Sequence, residues 1–229
     1  MKRDIGVIIV AGGKGSRTES EELKQFRWVA GKPMLLHSLQ LFQQREDVGM
    51  VVVVLPQEHV GDPPPWLFQC DTERLLLSVG GRERSDSVRN GLEDLPDDAE
   101  VVVIHDAARP FVTLRMFDDV IREARRGHGA APGIPVVDSL KRIDPHGFIE
   151  ETVGRDGLVR IQTPQAFPRA MIERAHTEAL HERISATDDA ALCERLDMMV
   201  VVVPGSERAM KITTEADFAR ADALSILPE

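Results

Sequence analysis

The residues best suited to chemistry come early. They are Ala11-Gly12-Gly13-Lys14-Gly15-Ser16-Arg17, with Lys24-Gln25 close behind. Glycines at 12, 13 and 15 let the backbone approach a ligand without an intervening Cβ. Exposed backbone N–H groups beside Lys14, Arg17 and Lys24 suit a polyphosphate. The apolar run Ile5-Gly6-Val7-Ile8-Ile9-Val10 leads straight into this loop, so a buried strand delivers it. A nucleotide is therefore the leading ligand and phosphate chemistry the leading activity. The loop is not a Walker A motif, because the Gly-Lys-Ser/Thr ending is absent, and the dinucleotide spacing fails at Ser16 and Arg17. Taken alone, it also reads as a tight strand-to-helix turn with solvated charges.

A second cluster, Gly80-Gly81-Arg82-Glu83-Arg84-Ser85-Asp86-Ser87, follows the apolar run Leu75–Val79. The carboxyl end of a strand is where open α/β sheets bind ligands. Ser85 and Ser87 there could bond a base or ribose, or Ser85 or Asp86 could simply cap a helix. A third cluster is His105-Asp106-Ala107-Ala108-Arg109-Pro110, after Val101–Ile104. Asp106 could hold a divalent cation or a substrate hydroxyl, and Arg109 could pair with phosphate. An Asp106–Arg109 ion pair inside a turn is the alternative. A lone His105 reads as a satisfied core histidine and is given no role. Thr163, in Gln162-Thr163-Pro164-Gln165-Ala166-Phe167, and Lys211, in Ala209-Met210-Lys211-Ile212-Thr213, sit in segments that are nonspecific alone. Asp188-Asp189 reads as negative charge favouring a helix start. No Ser/His/Asp, Cys/His or zinc-ligand pattern emerges.

These clusters need a scaffold. Apolar runs at Ile5–Val10, Met50–Leu55, Leu75–Val79, Val101–Ile104 and Met199–Val203 read as strands covered on both faces. Helical patterns lie at Pro33–Gln44, Ser87–Leu95, Leu114–Arg126, Arg169–Arg183, Thr187–Arg195 and Glu215–Leu227. Thr214 and Asp217 form a capping-box-like start for the last of these. The alternation implies an α/β fold with a parallel sheet and right-handed crossovers. Gly61-Asp62-Pro63-Pro64-Pro65-Trp66 reads as a surface loop. From Val136 to Arg160 the pattern alternates around the turn Asp144-Pro145-His146-Gly147, predicting an inserted β-hairpin that a partner subunit could cap.

The bulk properties set limits. The 229 residues can bury a sizeable core as one domain. With 42% hydrophobic and 29% charged residues, the composition is that of a globular protein. A net charge of -10 argues against a nucleic-acid binder, yet a few converging cations can reverse the field locally. Cys70 and Cys193 fit no metal or redox spacing and read as reduced thiols of a cytoplasmic protein. The opening run is read as a strand rather than a leader, and no run spans a bilayer.

As an ordered set, the clusters resemble the 2-C-methyl-D-erythritol 4-phosphate cytidylyltransferase family over nearly the whole chain. The pieces are Ala11–Arg17, Lys24-Gln25-Phe26, Gly80-Gly81 leading to Ser87, His105–Pro110, Asp138-Ser139-Leu140-Lys141-Arg142, Arg155-Asp156-Gly157-Leu158, Thr163–Phe167 and Lys211-Ile212-Thr213. The resemblance implies a Rossmann-like nucleotidyltransferase fold, a mostly parallel mixed sheet flanked by helices. Residues 1–229 would form one domain, with an arm at about 136–160 exchanged across a homodimer.

The resemblance also implies roles. Arg17 and Lys24 would bind the CTP triphosphate. Ala11, Gly12, Gly13, Gly15 and Ser16 would hold phosphates and help select the pyrimidine, with Gly80, Gly81, Ser87 and Asp106 completing the nucleotide site. Asp106, Ala107, Arg109, Thr163 and Lys211 would surround methylerythritol phosphate, reached from the partner by Ser139 and Arg155. The substrate phosphate would attack the α-phosphorus of CTP in line and pyrophosphate would leave. A phosphate monoester is already anionic, so positioning and cations carry catalysis, with Arg17, Lys24 and Lys211 as catalytic residues. Mg²⁺, or another divalent cation, would ride mainly on the CTP phosphates, with Asp106 as a candidate ligand.

The chain departs from the family pattern at Gly12, Leu23, Arg82, Ser139, Gly154 and Val159. A ribitol 5-phosphate cytidylyltransferase is the nearest alternative, favoured by Gly12-Gly13. A non-catalytic nucleotide-binding regulator is the alternative from another class. It would tolerate loss of Arg17, Lys24 or Lys211.

Overall fold

Continuous apolar strands need cover on both sides, and alternate residues of each strand meet different helical layers. The computed structural model describes residues 2–13 and 23–226. Gly15, Ser16 and Arg17 lie outside the described residues, as does Leu227.

Along the chain come β1 (Ile5–Val10), the short pair β2 (Trp28–Val29) and β3 (Lys32–Pro33), α1 (Met34–Gln43), β4 (Val48–Leu55) and α2 (Gln57–Val60). Then follow β5 (Leu75–Val79), α3 (Arg84–Asp94), β6 (Val101–Asp106), α4 (Leu114–Ala124) and β7 (Gly129–Pro135). The remainder is β8 (Leu140–Ile143), β9 (Ile149–Val153), β10 (Val159–Ile161), β11 (Gln165–Pro168), α5 (Arg169–His181), α6 (Asp189–Glu194), β12 (Val200–Pro204) and α7 (Glu215–Ile226).

An eight-stranded sheet organises the fold, in the order β10-β7-β11-β6-β1-β4-β5, with β12 paired to β7. The β6-β1-β4-β5 half is parallel throughout, with Ile8 flanked by Val52 and Ile104. β11 inserts antiparallel between β6 and β7, and β10 pairs antiparallel with the end of β7. β12 runs parallel along Gly129–Gly133 on the edge of β7 away from β11, since Ala130 pairs with Ala166 on one side and Val201 on the other. The sheet is therefore mixed but mostly parallel, and helices flank both faces.

On one face Ile5, Val7, Ile9, Val51, Val53, Val101 and Val103 pack with Leu35, Leu39 and Phe42 of α1 and Phe117 and Val120 of α4. On the other, Ile8, Val52, Val54, Val102 and Ile104 pack with Val88 and Leu92 of α3 and Ile172 and Ala175 of α5. The period-two division accounts for strands with no polar face. A smaller cluster joins Val29 and Met34 to Ile212, Phe218 and Ala221, seating α7 against the β2–β3 pair.

Several boundaries differ from expectation for local reasons. α3 starts at Arg84, three residues before the predicted Ser87, because Glu83 rather than Ser85 is the N-cap and the Asp86 carboxylate accepts the Glu83 N–H at 3.0 Å. In α7, Asp217 accepts the Thr214 N–H at 2.9 Å, as the capping pattern predicts. The proline-rich segment ends in a 3-10 turn, Pro65–Gln69, which buries Leu67. The sequence pattern does not predict β7 or β11, and it places Val159 and Arg160 in the hairpin segment, whereas β10 joins the main sheet beside β7. Strand propensity is low for Gly129-Ala130-Ala131-Pro132-Gly133, and its pairing partners supply the strand geometry. β8 and β9 form a separate two-stranded antiparallel ribbon, leaving Ile143, Phe148 and Ile149 exposed.

Candidate functional site

β1 has β6 on one side and β4 on the other, so its carboxyl end is a switch point in the sheet, where open α/β folds bind ligands. A cavity of about 370 Å³ opens there, lined by Ala11, Gly12, Gly13, Lys24, Gln25, Gly81, Arg82, Arg84, Ser87, Asp106, Ala107 and Lys211, among others. That volume lies in the range of small-molecule pockets.

The glycines make the floor. A Cβ on Gly12 would lie 3.3 Å from the Gly80 Cα and from the Ser87 Oγ, so two backbones meet closely there. Ser87 locks the second loop: its hydroxyl accepts the Gly81 N–H at 3.1 Å and donates to the Glu83 carbonyl at 3.2 Å. Gln25 is buried and donates through Nε2 to the Ala11 carbonyl at 2.5 Å, tying the first loop to the turn that carries Lys24. Phe26 anchors that turn, edge-on to His59 and Trp66, so the proline-rich loop has a positioning role here.

Lys24 and Lys211 approach from distant sequence. The Lys24 Nζ donates to the Ile212 carbonyl at 2.7 Å. The Ile212 N–H donates to the Ala108 carbonyl at 2.8 Å, which pins the Lys211 segment to the end of β6. The Lys211 Nζ is 2.7 Å from the Asp106 Oδ2.

Asp106 is the hub. The Arg84 Nε donates to its Oδ1 at 3.2 Å, and its backbone N–H donates to the Thr163 hydroxyl at 3.0 Å. Burial alone would raise its carboxyl, but the charges of Arg84 and Lys211 outweigh burial and hold it well below the usual carboxylate range. Behind it lies fully buried His105, with Nδ1 3.0 Å from the Thr163 Oγ1 and Nε2 3.1 Å from both the Ser38 hydroxyl and the Arg109 carbonyl. The Arg109 carbonyl can only accept, so the neutral imidazole carries its proton on Nε2, and Nδ1 accepts from the Thr163 hydroxyl. Burial pushes this imidazole down to about 4, so it is neutral at pH 7. It is a satisfied core histidine, as its surroundings in sequence suggest.

Arg84 reaches past Asp106 to a second buried carboxylate. Its Nη1 lies 2.8 Å from Asp189 Oδ2 as an ion pair, and Asp189 Oδ1 is 3.0 Å from His176 Nε2. Burial would raise Asp189, yet the Arg84 charge and the His176 bond keep it low and anionic. Burial likewise opposes the charge on Arg84, and Asp189 and Asp106 together more than reverse that, raising its pKa.

The sequence-predicted residues fall into groups. Ala11, Gly12, Gly13, Lys24, Gly81, Ser87, Asp106, Ala107 and Lys211 line one cavity. Gly80 backs Gly12. Thr163 stands behind Asp106, and Arg109 Nη1 donates to the Ala209 carbonyl at 2.8 Å, so both border the cavity without lining it. Ser139 lies just before β8 and Arg155 just after β9, where the Arg155 guanidinium donates to the Val137 carbonyl. Gly15, Ser16 and Arg17 lie outside the described residues.

The sequence pattern gives Arg84 no role, although it lies in the Gly80–Ser87 cluster at a strand end, and names Gln25 only as the neighbour of Lys24. Asp188 and Asp189 read from sequence as a helix start, and both stand there: Asp188 accepts the Ala191 N–H at 3.1 Å and Asp189 lies in the first turn of α6, where it also meets Arg84.

Known proteins resemble the chain along nearly its whole length. The family model described as "IspD: 2-C-methyl-D-erythritol 4-phosphate cytidylyltransferase" matches residues 5–226. A curated 2-C-methyl-D-erythritol 4-phosphate cytidylyltransferase of Salinibacter ruber is 42% identical over 222 residues, covering 96% of this chain and 92% of its own. That of Syntrophus aciditrophicus is 40% identical, covering 97% and 96%. The crystal structure of the enzyme so named from Thermus thermophilus superposes with a TM-score of 0.82 at 31% identity, covering 99% of this chain and all of that one.

Proposed function

The chain belongs to the 2-C-methyl-D-erythritol 4-phosphate cytidylyltransferase family, and from that premise we propose that it transfers the cytidylyl group of CTP to 2-C-methyl-D-erythritol 4-phosphate. The products are 4-diphosphocytidyl-2-C-methyl-D-erythritol and pyrophosphate, a step of isoprenoid precursor synthesis. The observation that carries this reading is the convergence of Lys24 and Lys211 on one cavity floored by Gly12 and Gly13.

Two anions must meet, and the acceptor phosphate needs no general base. Lys24 binds the triphosphate over the glycine floor, as Arg17 does in this proposal. Lys211 orients the attacking phosphate and balances charge as the pentavalent arrangement forms. Asp106 holds Lys211 in readiness, with Ala107 and the neighbouring Arg109 and Thr163 shaping the acceptor side. Gly80, Gly81 and Ser87 hold the nucleoside.

A divalent cation fits the donors present. Asp106 is a carboxylate on the cavity wall, and Mg²⁺ is commonly held by one or two carboxylates together with substrate phosphates. When bound, it would neutralise phosphate charge.

We read the chain as one nucleotidyltransferase domain whose arm, at about 136–160, pairs two copies. Ser139 and Arg155 then complete the partner's acceptor site. Two features support that assembly: a two-stranded ribbon is marginal on its own, and Phe148 and Ile149 are 73% and 65% exposed on it. A cytoplasmic setting fits two unpaired cysteines. Among the described residues no helix is long and apolar enough to cross a membrane.

The test is pyrophosphate release from CTP and Mg²⁺ with methylerythritol phosphate and ribitol 5-phosphate as alternative acceptors. Turnover with the first and little with the second is expected. The reverse preference would move the assignment to the ribitol enzyme, and tight CTP binding without turnover would make the chain a regulator.

A further inference from the structure

A line of buried charge leads away from the cavity: Lys211 to Asp106, Asp106 to Arg84, Arg84 to Asp189, and Asp189 to His176. Its far end is rigid. Asp189 and His176 are 1% exposed, and the start of α6 is clamped by Gln165 of β11. Gln165 Nε2 donates to Asp188 at 2.7 Å, and its Oε1 accepts the Ala190 N–H at 3.0 Å. β11 is in turn hydrogen-bonded to β6, the strand that ends in Asp106. Both carboxylates flanking Arg84 are thus fixed to the same two strands.

The near end is different. The Lys211 side chain is 45% exposed, whereas that of Arg84 is 24% exposed. An ammonium on a four-carbon stem can exchange partners, while a planar guanidinium can serve two carboxylates at once. Lys211 lines the cavity with an exposed ammonium, and a carboxylate left with one cation in a poorly solvated site would hold that cation hard, so a second resident cation on Asp106 loosens its hold on Lys211.

We propose that Asp189 is a positioning residue for this reaction: it holds Arg84 against Asp106, so that Asp106 keeps a resident counter-ion and Lys211 is free to move to the substrate phosphates. The inference rests on the cytidylyl-transfer reading. It assigns Arg84 a duty that an ordinary cavity cation would not have. Arg84 must be kept off the triphosphate, and the Asp189 carboxylate keeps it there. Released, Arg84 would swing towards the nucleotide, strengthening ground-state binding while Lys211 stayed on Asp106. Uniform binding of that kind does not raise turnover.

The experiment compares wild type, Asp189→Asn and Arg84→Lys. Pyrophosphate release is followed with whichever polyol phosphate the wild type uses, and CTP affinity is measured separately by calorimetry. Asp189→Asn is expected to lower kcat about ten- to hundredfold, the scale of a small displacement of a catalytic group, with CTP bound as tightly as before or more tightly. Arg84→Lys keeps the charge and cannot span both carboxylates, so its kcat should fall too. It decides alone if Asp189→Asn does not fold. A kcat within about twofold of wild type, or a kcat loss matched by an equal loss of CTP affinity, overturns the proposal. Wild-type turnover with ribitol 5-phosphate alone would refute only the choice of acceptor, and a wild type inactive with every acceptor would end both readings.

Discussion

The ammonium of Lys24 rests on the carbonyl of Ile212, 2.7 Å away and 188 positions along the chain. That carbonyl belongs to a segment already tethered to the end of β6, so the contact places Lys24 beside Lys211 over the same cavity. Lys24→Ala should lower kcat on the order of 10²–10³, the cost of one preorganised charge-stabilising donor. Circular dichroism and melting temperature should stay near wild type. An equally folded, fully active variant would remove Lys24 from the catalytic set.

Gly81 tests the second loop. A Cβ there would sit 2.1 Å from the Asp86 Cβ, and Asp86 is the residue whose carboxylate reaches back to cap α3. Gly81→Ala should therefore cost about 1 kcal/mol or more of stability through the lost cap and should raise KM for CTP. Denaturant titration and initial-rate kinetics measure the two effects.

His105 makes stability depend on pH. Its folded-state value is about 4, below the roughly 6.5 of an unfolded histidine. Between those values the unfolded chain takes up a proton that the folded chain refuses. Stability therefore falls as pH drops from about 6.5 to about 4, by about 3 kcal/mol at the acid end. The stability gap between wild type and His105→Asn, measured by denaturant titration, should narrow across that interval. A gap unchanged between pH 7 and pH 4.5 would show the imidazole to be protonated alike in both states.

The ribbon residues bear on assembly. Phe148→Glu combined with Ile149→Glu places charge on the exposed apolar side chains of β8–β9. If the arm pairs two copies as proposed, sedimentation should show wild type as a dimer and the double variant shifted towards monomer, with kcat falling too if Ser139 and Arg155 serve the neighbouring site. A double variant that sediments like wild type would exclude this surface as the dimer contact.

The parts that were legible in sequence are those with local causes. β1 and β5 have the predicted limits, and β1 is covered on both faces as its unbroken apolar run announces. β5 and β12 are not: both lie at sheet edges, and Leu76, Val79 and Val202 are exposed, a position that the apolar run alone does not reveal. The glycine floor and Asp106 were legible as chemistry at strand ends and Lys24 as a cation just beyond the loop, whereas Lys211 sits in a segment that is nonspecific alone and was named only by the family resemblance. β7 was not, because Gly129-Ala130-Ala131-Pro132 has no strand character until β11 and β12 pair with it. The Arg84–Asp189 pair was hidden for a related reason: it joins α3 to α6, and only the antiparallel insertion of β11 brings them together. Thr163 was recognised by its segment, yet its hydroxyl is engaged by Asp106 and His105, a use that only the folded neighbourhood defines.

Ile212 and Phe218 pack with Val29 and Met34, so the last helix is built onto the first third of the chain. During synthesis, then, the glycine loop and the strands of its half of the sheet leave the ribosome well before Lys211 does. A chain cut short ahead of residue 211 would carry the loop without that lysine, and one cut just ahead of α7 would keep it but lose the Phe218 and Ala221 packing beside Ile212.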